Sequence, residues 1–212
     1  MAFKRFFSLA ALLLMLAPAV AAEPYRIVGF GDSLMAGYQL DPGQSFPEKL
    51  EAALKARGHD VVIVNAGVSG DTTSGGLSRL DWSVEDGTDL AILELGANDM
   101  LRGLAPEVTE KNLDAMIVRL RERGIGVILA GMVAAPNLGP DYAKNFDAIY
   151  PRLAAAHGLP LYPFFLDGVA AEASLLLDDG MHPSAAGVDR MVEGFLPLIE
   201  KVLAERGVSP PG

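Results

Sequence analysis

The chain has 212 residues, half of them hydrophobic, which is the size of one domain with a full core. Its formal net charge of -10 argues against nucleic acid and anionic lipid as partners, because both are negatively charged themselves. The sequence contains no cysteine, which excludes disulfides and thiolate metal sites.

The first 22 residues have the order of a secretory signal peptide. Lys4 and Arg5 precede an apolar run, a proline breaks that run, and small residues follow up to Ala22. We expect cleavage before Glu23, with the bond before Ala22 as the alternative. An uncleaved membrane anchor is less favoured, because the run is shorter than the roughly 20 residues of a spanning helix. Cleavage would remove two basic residues and take the formal net charge from -10 to -12. We expect the mature protein to be a periplasmic monomer with a single domain over 23–212.

The rest of the chain alternates short apolar runs with helical patterns. In chain order these patterns predict a strand at 26–30, a helix at 45–57, strands at 61–64 and 90–95, a helix at 106–123, a strand at 127–130, a helix at 142–157, a strand at 161–164 and a closing helix at 184–205. Ser45 and Glu48 have the spacing of a capping box, and Gly58 is a typical helix stop. Apolar strands separated by helices indicate a three-layer α/β/α domain with a parallel sheet.

Candidate site residues follow the strands, because ligands bind beyond the carboxyl ends of such sheets. Ser33 comes two residues after Gly31 at the end of the first strand, Gly67 follows the second strand, and Asn98 follows the third. Each has an ordinary alternative role: Ser33 and Asn98 as helix caps, and Gly67 as a turn residue. A serine hydroxyl is a poor nucleophile without a base, so its assignment depends on a histidine.

His182 is the histidine best placed to act as that base. Asp179 lies three residues before it, across a glycine turn. The acid can fold back onto one ring nitrogen, which leaves the other nitrogen for serine. The alternative is that this loop only begins the closing helix, with its acids as first-turn charges. His59 and His157 each adjoin a glycine at a predicted helix end, and we expect both to face solvent.

Four blocks of sequence together resemble those of the SGNH (GDSL) hydrolase family, in the family's order. They are Gly31-Asp32-Ser33-Leu34, Asn65-Ala66-Gly67, Gly96-x-Asn98-Asp99 and Asp179-x-x-His182-Pro183. The resemblance covers the mature chain and is greatest to bacterial periplasmic enzymes with thioesterase, arylesterase and lysophospholipase activity. It implies a flavodoxin-like sheet of strand order 2-1-3-4-5, no metal and no cofactor.

The same resemblance implies a role for each candidate residue. Ser33 is implied as the nucleophile, His182 as the general base and then the acid, and Asp179 as the residue that orients the imidazole. The oxyanion hole is implied to consist of the backbone N–H groups of Ser33 and Gly67 and the side-chain N–H of Asn98. Together these roles imply two-step acyl transfer through an acyl-enzyme.

The expected substrate is a small acyl ester or thioester. We expect a groove lined by aliphatic side chains that follow the third and fourth strands, namely Met100, Leu101, Leu104, Met132 and Leu138. The resemblance implies that the loop over 96–104 gates access, whereas the acidic stretch Gly139-Pro140-Asp141 departs from the family and leaves the substrate preference open.

One alternative is a carbohydrate O-acetylesterase that uses the same residues in a polar, sugar-stacking cleft. A non-catalytic binding module is the other, and it would not require the Ser, Asn, Asp and His set.

Overall fold

The computed structural model describes residues 23–208 and 210, so the expected signal peptide and its cleavage site lie outside the described residues. Five parallel strands form one sheet: β1 (Tyr25–Gly31), β2 (Val61–Gly67), β3 (Leu90–Glu94), β4 (Gly126–Ala130) and β5 (Leu161–Tyr162). Their order across the sheet is β2-β1-β3-β4-β5. The predicted α/β class and the strand order implied by the resemblance are both confirmed.

Helices cover both faces of the sheet. They are α1 (Ser33–Ala36), α2 (Phe46–Ala56), α3 (Thr73–Ser83), α4 (Ala97–Leu101), α5 (Pro106–Glu122), α6 (Pro140–Asp147), α7 (Ile149–His157) and α8 (Ala185–Glu205), with short 3-10 helices at Pro136–Leu138 and Ala173–Leu175. Helix α2 packs against α8, and α3 packs against α5. Among the described residues no helix combines the length and the apolar character needed to cross a membrane.

The capping box predicted at the start of α2 is present. The carboxylate of Glu48 accepts the backbone N–H of Ser45 at 3.1 Å, which satisfies one of the free donors at the helix start. Gly58 follows the helix with a φ of +86°, a conformation that favours glycine.

Helix α3 is an element that the sequence patterns did not predict, because two adjacent glycines in its first turns lower its helix propensity. The helix forms through its contacts. The hydroxyl of Thr72 accepts the N–H of Gly75 at 3.3 Å and caps the helix. Gly76 lets the helix approach the sheet, because a Cβ at this position would overlap the side chain of Leu95.

The single helix predicted over 142–157 is wrong, since the structure has two helices that meet at Ala148. Pro151 in the first turn of α7 has no N–H, so it cannot bond to the carbonyl of Asp147 four residues earlier. The carboxylate of Asp147 accepts the N–H of Ala134 at 2.7 Å, which ties the break to the loop after β4. Strand β5 is shorter than predicted, because the residue that follows it is a proline without an N–H for the ladder.

The carboxyl ends of the central strands lie side by side. Gly31 at the end of β1 pairs with Gly67 at the end of β2, and the preceding residue Phe30 pairs with Leu93 of β3. Helix α1 begins two residues after β1, and α4 begins three residues after β3. The three segments that carry Ser33, Gly67 and Asn98 therefore leave the sheet at one edge.

Candidate active site

Ser33 and His182 are 149 residues apart in the chain and lie within hydrogen-bond distance of each other. Nε2 of His182 is 2.9 Å from Oγ of Ser33, and Nδ1 is 2.7 Å from Oδ2 of Asp179. Hydrogen bonds from the backbone N–H groups of His182 and Met181 and from the imidazole lower the pKa of Asp179 to about 2. The ionised carboxylate favours a proton on Nδ1, which leaves Nε2 as an acceptor for the serine hydroxyl.

The position of Ser33 follows from the turn between β1 and α1. Asp32 caps α1, because its Oδ1 accepts the N–H of Leu34 at 3.0 Å. Gly31 has no room for a side chain, since a Cβ there would lie 2.7 Å from the main-chain oxygen of Glu94. The N–H of Ser33 makes no hydrogen bond to another described residue, so it is available as a donor at the site.

The loop that carries His182 is tied to itself by backbone hydrogen bonds. Leu176 and Pro183 form an isolated antiparallel bridge, and the N–H of Leu177 donates to the carbonyl of His182 at 2.8 Å. Ser184 caps α8 by accepting the N–H of Gly187 at 3.3 Å. The loop is therefore both the start of α8 and the element that presents the histidine.

Tyr38 covers one face of the His182 imidazole. The two ring centroids are 4.4 Å apart, and the planes are tilted by 38°. No sequence pattern identifies this residue, because a tyrosine in the turn after α1 carries no signal that predicts its partner.

Asn98 lies at the start of α4 with its amide directed at the turn below Ser33. Its Nδ2 donates one hydrogen to Oδ2 of Asp32 at 2.9 Å, and an amide nitrogen carries a second hydrogen. Because Asp32 directly precedes Ser33, this bond holds Asn98 next to Ser33.

Gly67 differs from the expectation in one respect, since its N–H already donates to Oδ1 of Asn65 at 2.9 Å. Gly70, three residues further on, has a free N–H. The N–H of Asp71 donates to the carbonyl of Val68 at 3.1 Å and closes a turn whose third residue is Gly70, with φ of +79°. The N–H of Gly70 makes no hydrogen bond within the described residues. Sequence reasoning missed this N–H, and the Ser-Gly-Asp turn directly after β2 is the signal that could have indicated it.

Two buried carboxyl groups lie beneath Ser33. Asp32 and Glu94 are both fully buried, and the N–H of Asp32 donates to Oε2 of Glu94 at 3.3 Å. Burial raises the pKa of Asp32 to about 6, and burial together with the Asp32 charge raises that of Glu94 well above its usual range. Oε1 of Glu94 has no hydrogen-bond partner among the described residues. The raised pKa of each carboxyl favours its protonated form, and the hydrogen bonds that Asp32 accepts from Leu34 and Asn98 favour the charge on Asp32 rather than on Glu94.

The aliphatic residues expected to line a groove divide between surface and core. Leu101 is 57% exposed, whereas Met100 and Met132 are only 6% and 4% exposed and pack in the hydrophobic core. Leu104 and Leu138 are half-buried. Other exposed hydrophobic side chains on segments that follow strands or adjoin His182 are Tyr38, Val68, Val133 and Met181. This set could not be chosen from the sequence, because hydrophobicity does not distinguish a core methionine from one at the surface.

The segment over 96–104 is attached to its neighbours at several points. The buried carboxylate of Asp99 accepts the N–H of Thr73 at 2.8 Å. The hydroxyl of Tyr142 donates to the carbonyl of Leu104 at 2.9 Å, and Arg102 donates to the carbonyl of Gly70 at 2.7 Å. The gating role implied by the resemblance stays a prediction.

The expectation that His59 and His157 face solvent is wrong. His59 is 7% exposed, and His157 lies 2.6 Å from Asp114, with a side chain that is 17% exposed. A position at a helix end does not reveal which neighbouring elements cover it. Within the part of the chain that the structure describes, no three His, Cys, Asp or Glu residues are grouped so that they could hold a metal ion.

Comparison with known proteins gives consistent matches along the chain. Residues 30–190 match the model of the GDSL-like lipase/acylhydrolase family. An arylesterase of Vibrio mimicus is 41% identical over 180 residues, 84% of this chain and 89% of that protein. The thioesterase 1/protease 1/lysophospholipase L1 of Escherichia coli K12 is 34% identical over 193 residues, 89% of this chain and 90% of that protein. The crystal structure of AlinE4, an SGNH-hydrolase family esterase, superimposes with a TM-score of 0.73 at 46% identity, covering 86% of this chain and 98% of that one.

Proposed function

This chain belongs to the GDSL-like lipase/acylhydrolase family, the SGNH hydrolases, and we propose that it cleaves acyl esters and thioesters with Ser33 as the nucleophile. The esterase class itself follows from the family and from the esterases among its relatives. The observation that carries the residue assignment is the chain of contacts from Ser33 through His182 to Asp179, at 2.9 Å and 2.7 Å.

The proposed reaction has two steps. Nε2 of His182 takes the hydroxyl proton as Oγ of Ser33 attacks the carbonyl carbon, and the imidazolium then protonates the leaving alkoxide or thiolate. Water attacks the resulting acyl-enzyme, again with His182 as the base, and the acid product leaves with Ser33 restored. Asp179 stabilises the imidazolium in both steps, because it is ionised and bonded to Nδ1.

The negative charge on the carbonyl oxygen requires donors on one side of Ser33. We assign the N–H of Ser33 and the second amide hydrogen of Asn98 to this role. The third donor comes from the loop after β2. Gly70 is the better candidate, since its N–H is free, whereas the N–H of Gly67 would first have to leave Asn65.

The proposed substrates carry an uncharged or zwitterionic acyl ester, including lysophospholipids. The exposed Leu101 and Met181 would contact the acyl chain, and each buried methylene contributes about 0.8 kcal/mol at most. A carbohydrate O-acetylesterase is the less favoured alternative. Such an enzyme stacks sugars on aromatic rings, and Trp82, the one tryptophan of the sequence, lies at the end of α3 that points away from the carboxyl edge of the sheet. We also propose export to the periplasm, from the basic and apolar order of residues 1–22.

The test of this proposal is Ser33→Ala, compared with Ser78→Ala on the exposed face of α3. Hydrolysis of p-nitrophenyl butyrate should be lost in the first variant and unchanged in the second, with equal melting temperatures. A fluorophosphonate should label intact protein once, at Ser33. Turnover by Ser33→Ala close to that of the unmodified protein would refute the assignment.

A further inference from the structure

Arg79 is a buried cation directly below the proposed site, and no step of the reaction uses it. It lies in α3, its side chain is 8% exposed, and its Cζ lies 4.0 Å from the centre of the Phe30 ring. Phe30 belongs to β1, so the guanidinium stacks on the strand that leads to the nucleophile.

Three nitrogens of this guanidinium donate to three separate parts of the site. Nε donates to Oδ2 of Asp71 at 2.7 Å, Nη1 donates to the carbonyl of Ala66 at 2.8 Å, and Nη2 donates to the carbonyl of Gly31 at 2.9 Å. Because a guanidinium is planar and rigid, these three acceptors are held at fixed distances from one another.

The three acceptors bracket the proposed oxyanion donors. Ala66 and Asp71 bracket the segment over 66–71, which is the end of β2 and the loop after it and contains Gly67 and Gly70. Gly31 lies two residues before Ser33. One side chain therefore joins the loop that offers the backbone donor to the turn that offers the nucleophile. Charged donors on these carbonyls also polarise the peptide groups to which they belong.

Stability alone is a poor explanation for a cation at this position. Removing a guanidinium from water is energetically unfavourable, and an apolar side chain stacked on Phe30 would avoid that desolvation. Two kinds of contact offset this desolvation: the ion pair with Asp71, whose side chain is 12% exposed, and the hydrogen bonds to the two carbonyls. They do so only while the geometry of the guanidinium is kept.

We propose that Arg79 is a positioning residue that sets the distance between the nucleophile Ser33 and the loop over 66–71 that supplies the backbone oxyanion donor. This inference rests on the proposed function. Arg79 touches neither substrate nor reacting atoms, so its loss should affect the transition state more than the bound ester.

The test compares Arg79→Met and Arg79→Lys on p-nitrophenyl butyrate. An ångström-scale displacement of a donor lowers kcat by about a hundredfold, so we expect that loss for the methionine variant and about tenfold for lysine, which keeps the charge. KM should stay within about twofold. The affinity for butylboronic acid, which forms a charged tetrahedral adduct with the serine, should fall in parallel with kcat.

The matched control is Arg123→Met. Arg123 also donates to a carbonyl, that of Val84, and to a carboxylate, that of Asp86 at 3.0 Å, but it lies at the opposite edge of the sheet. This variant should lose stability without losing kcat. If Arg79→Met does not fold, Arg79→Lys and Asp71→Asn decide the question.

The positioning role would be overturned if the folded Arg79 variants kept full kcat and full boronate affinity and showed only a lower melting temperature. Failure of the proposed function is a separate result, because it would appear as an active Ser33→Ala variant or as labelling at another residue.

Discussion

Asn98 donates a side-chain hydrogen to Oδ2 of Asp32 at 2.9 Å, and the N–H of Asp32 in turn donates to the buried carboxyl of Glu94. The amide plane of Asn98 is therefore fixed by the residue that precedes Ser33, the proposed nucleophile. With one hydrogen on Asp32, the other is directed away from that carboxylate and remains available to a substrate oxygen.

Replacement of Asn98 by alanine should lower kcat by about a hundredfold or more and change KM little, because the lost bond forms mainly in the transition state. Steady-state hydrolysis of p-nitrophenyl butyrate measures both constants. Asn145→Ala, on the exposed face of α6, is the control and should behave like the unmodified protein. A rise in KM with unchanged kcat would assign Asn98 to substrate binding instead.

The pKa of Asp32 predicts how stability depends on pH. Its folded value of about 6 is above its ordinary value of 3.8, so the folded protein binds more protons than the unfolded chain between these values. This contribution to stability is fully present below pH 4 and is lost as the pH rises through 6. Urea unfolding between pH 4 and pH 8 should show a decline that Asp32→Asn flattens.

The control for this decline is Asp41→Asn, which changes an exposed carboxylate in the turn before α2. It should leave the pH dependence of the free energy of unfolding unaltered. An identical decline in Asp32→Asn and the unmodified protein would assign the effect to Glu94 or to another group.

Asp179 and Asp178 are adjacent but differ in their contacts. Asp179 bonds to Nδ1 of His182, whereas the exposed Asp178 makes no side-chain hydrogen bond within the described residues. We expect Asp179→Asn to lower kcat/KM by at least about a hundredfold, because the imidazole loses the group that fixes its tautomer. Asp178→Asn should stay within about twofold. A larger loss in Asp178→Asn would reverse the assignment.

The net charge predicts weaker use of acyl-coenzyme A than of uncharged acyl esters. A protein with a formal charge of -10, or -12 without residues 1–22, repels a ligand that carries several phosphates. Arg79 cannot offset this, because it is buried and paired with Asp71. For matched acyl chains, kcat/KM on acyl-coenzyme A should rise between low and high salt, while the value for p-nitrophenyl esters should not. A preference for acyl-coenzyme A at low salt would show that the exposed Arg102 dominates locally.

Sequence patterns predicted the sheet, and the proximity of the polar candidate residues, better than the helices and the exposed apolar side chains. The strands were predictable because their apolar runs are continuous, and the grouping of Ser33 and Asn98 because both follow strands at the carboxyl side of the sheet. Helix α3 escaped detection because Gly75 and Gly76 are selected by close packing against the sheet rather than by helix propensity.

Contacts between distant segments explain the other differences. Asn65 is only two residues from Gly67, but the sequence does not show that its side-chain oxygen accepts the hydrogen bond from the Gly67 N–H. The burial of Met100 and of His59 likewise depends on elements that pack over them from elsewhere in the chain. Arg79 has no sequence signature at all, because its acceptors are two backbone carbonyls, the carboxylate of Asp71 and the hydroxyl of Ser83, which form no motif with it.

The strand order β2-β1-β3-β4-β5 also sets the sequence in which the parts of the site come together during synthesis. Each new strand pairs with one already made: β2 and β3 with β1, β4 with β3, and β5 with β4. The sheet can grow outward from its first strand, with few long loops to close before contacts form. The proposed nucleophile and oxyanion donors belong to the earliest part, whereas His182, the proposed base, follows β5. A nascent chain that has reached only β5 therefore carries the proposed nucleophile without its base, so we expect hydrolysis to begin only after the loop that presents His182 has been made.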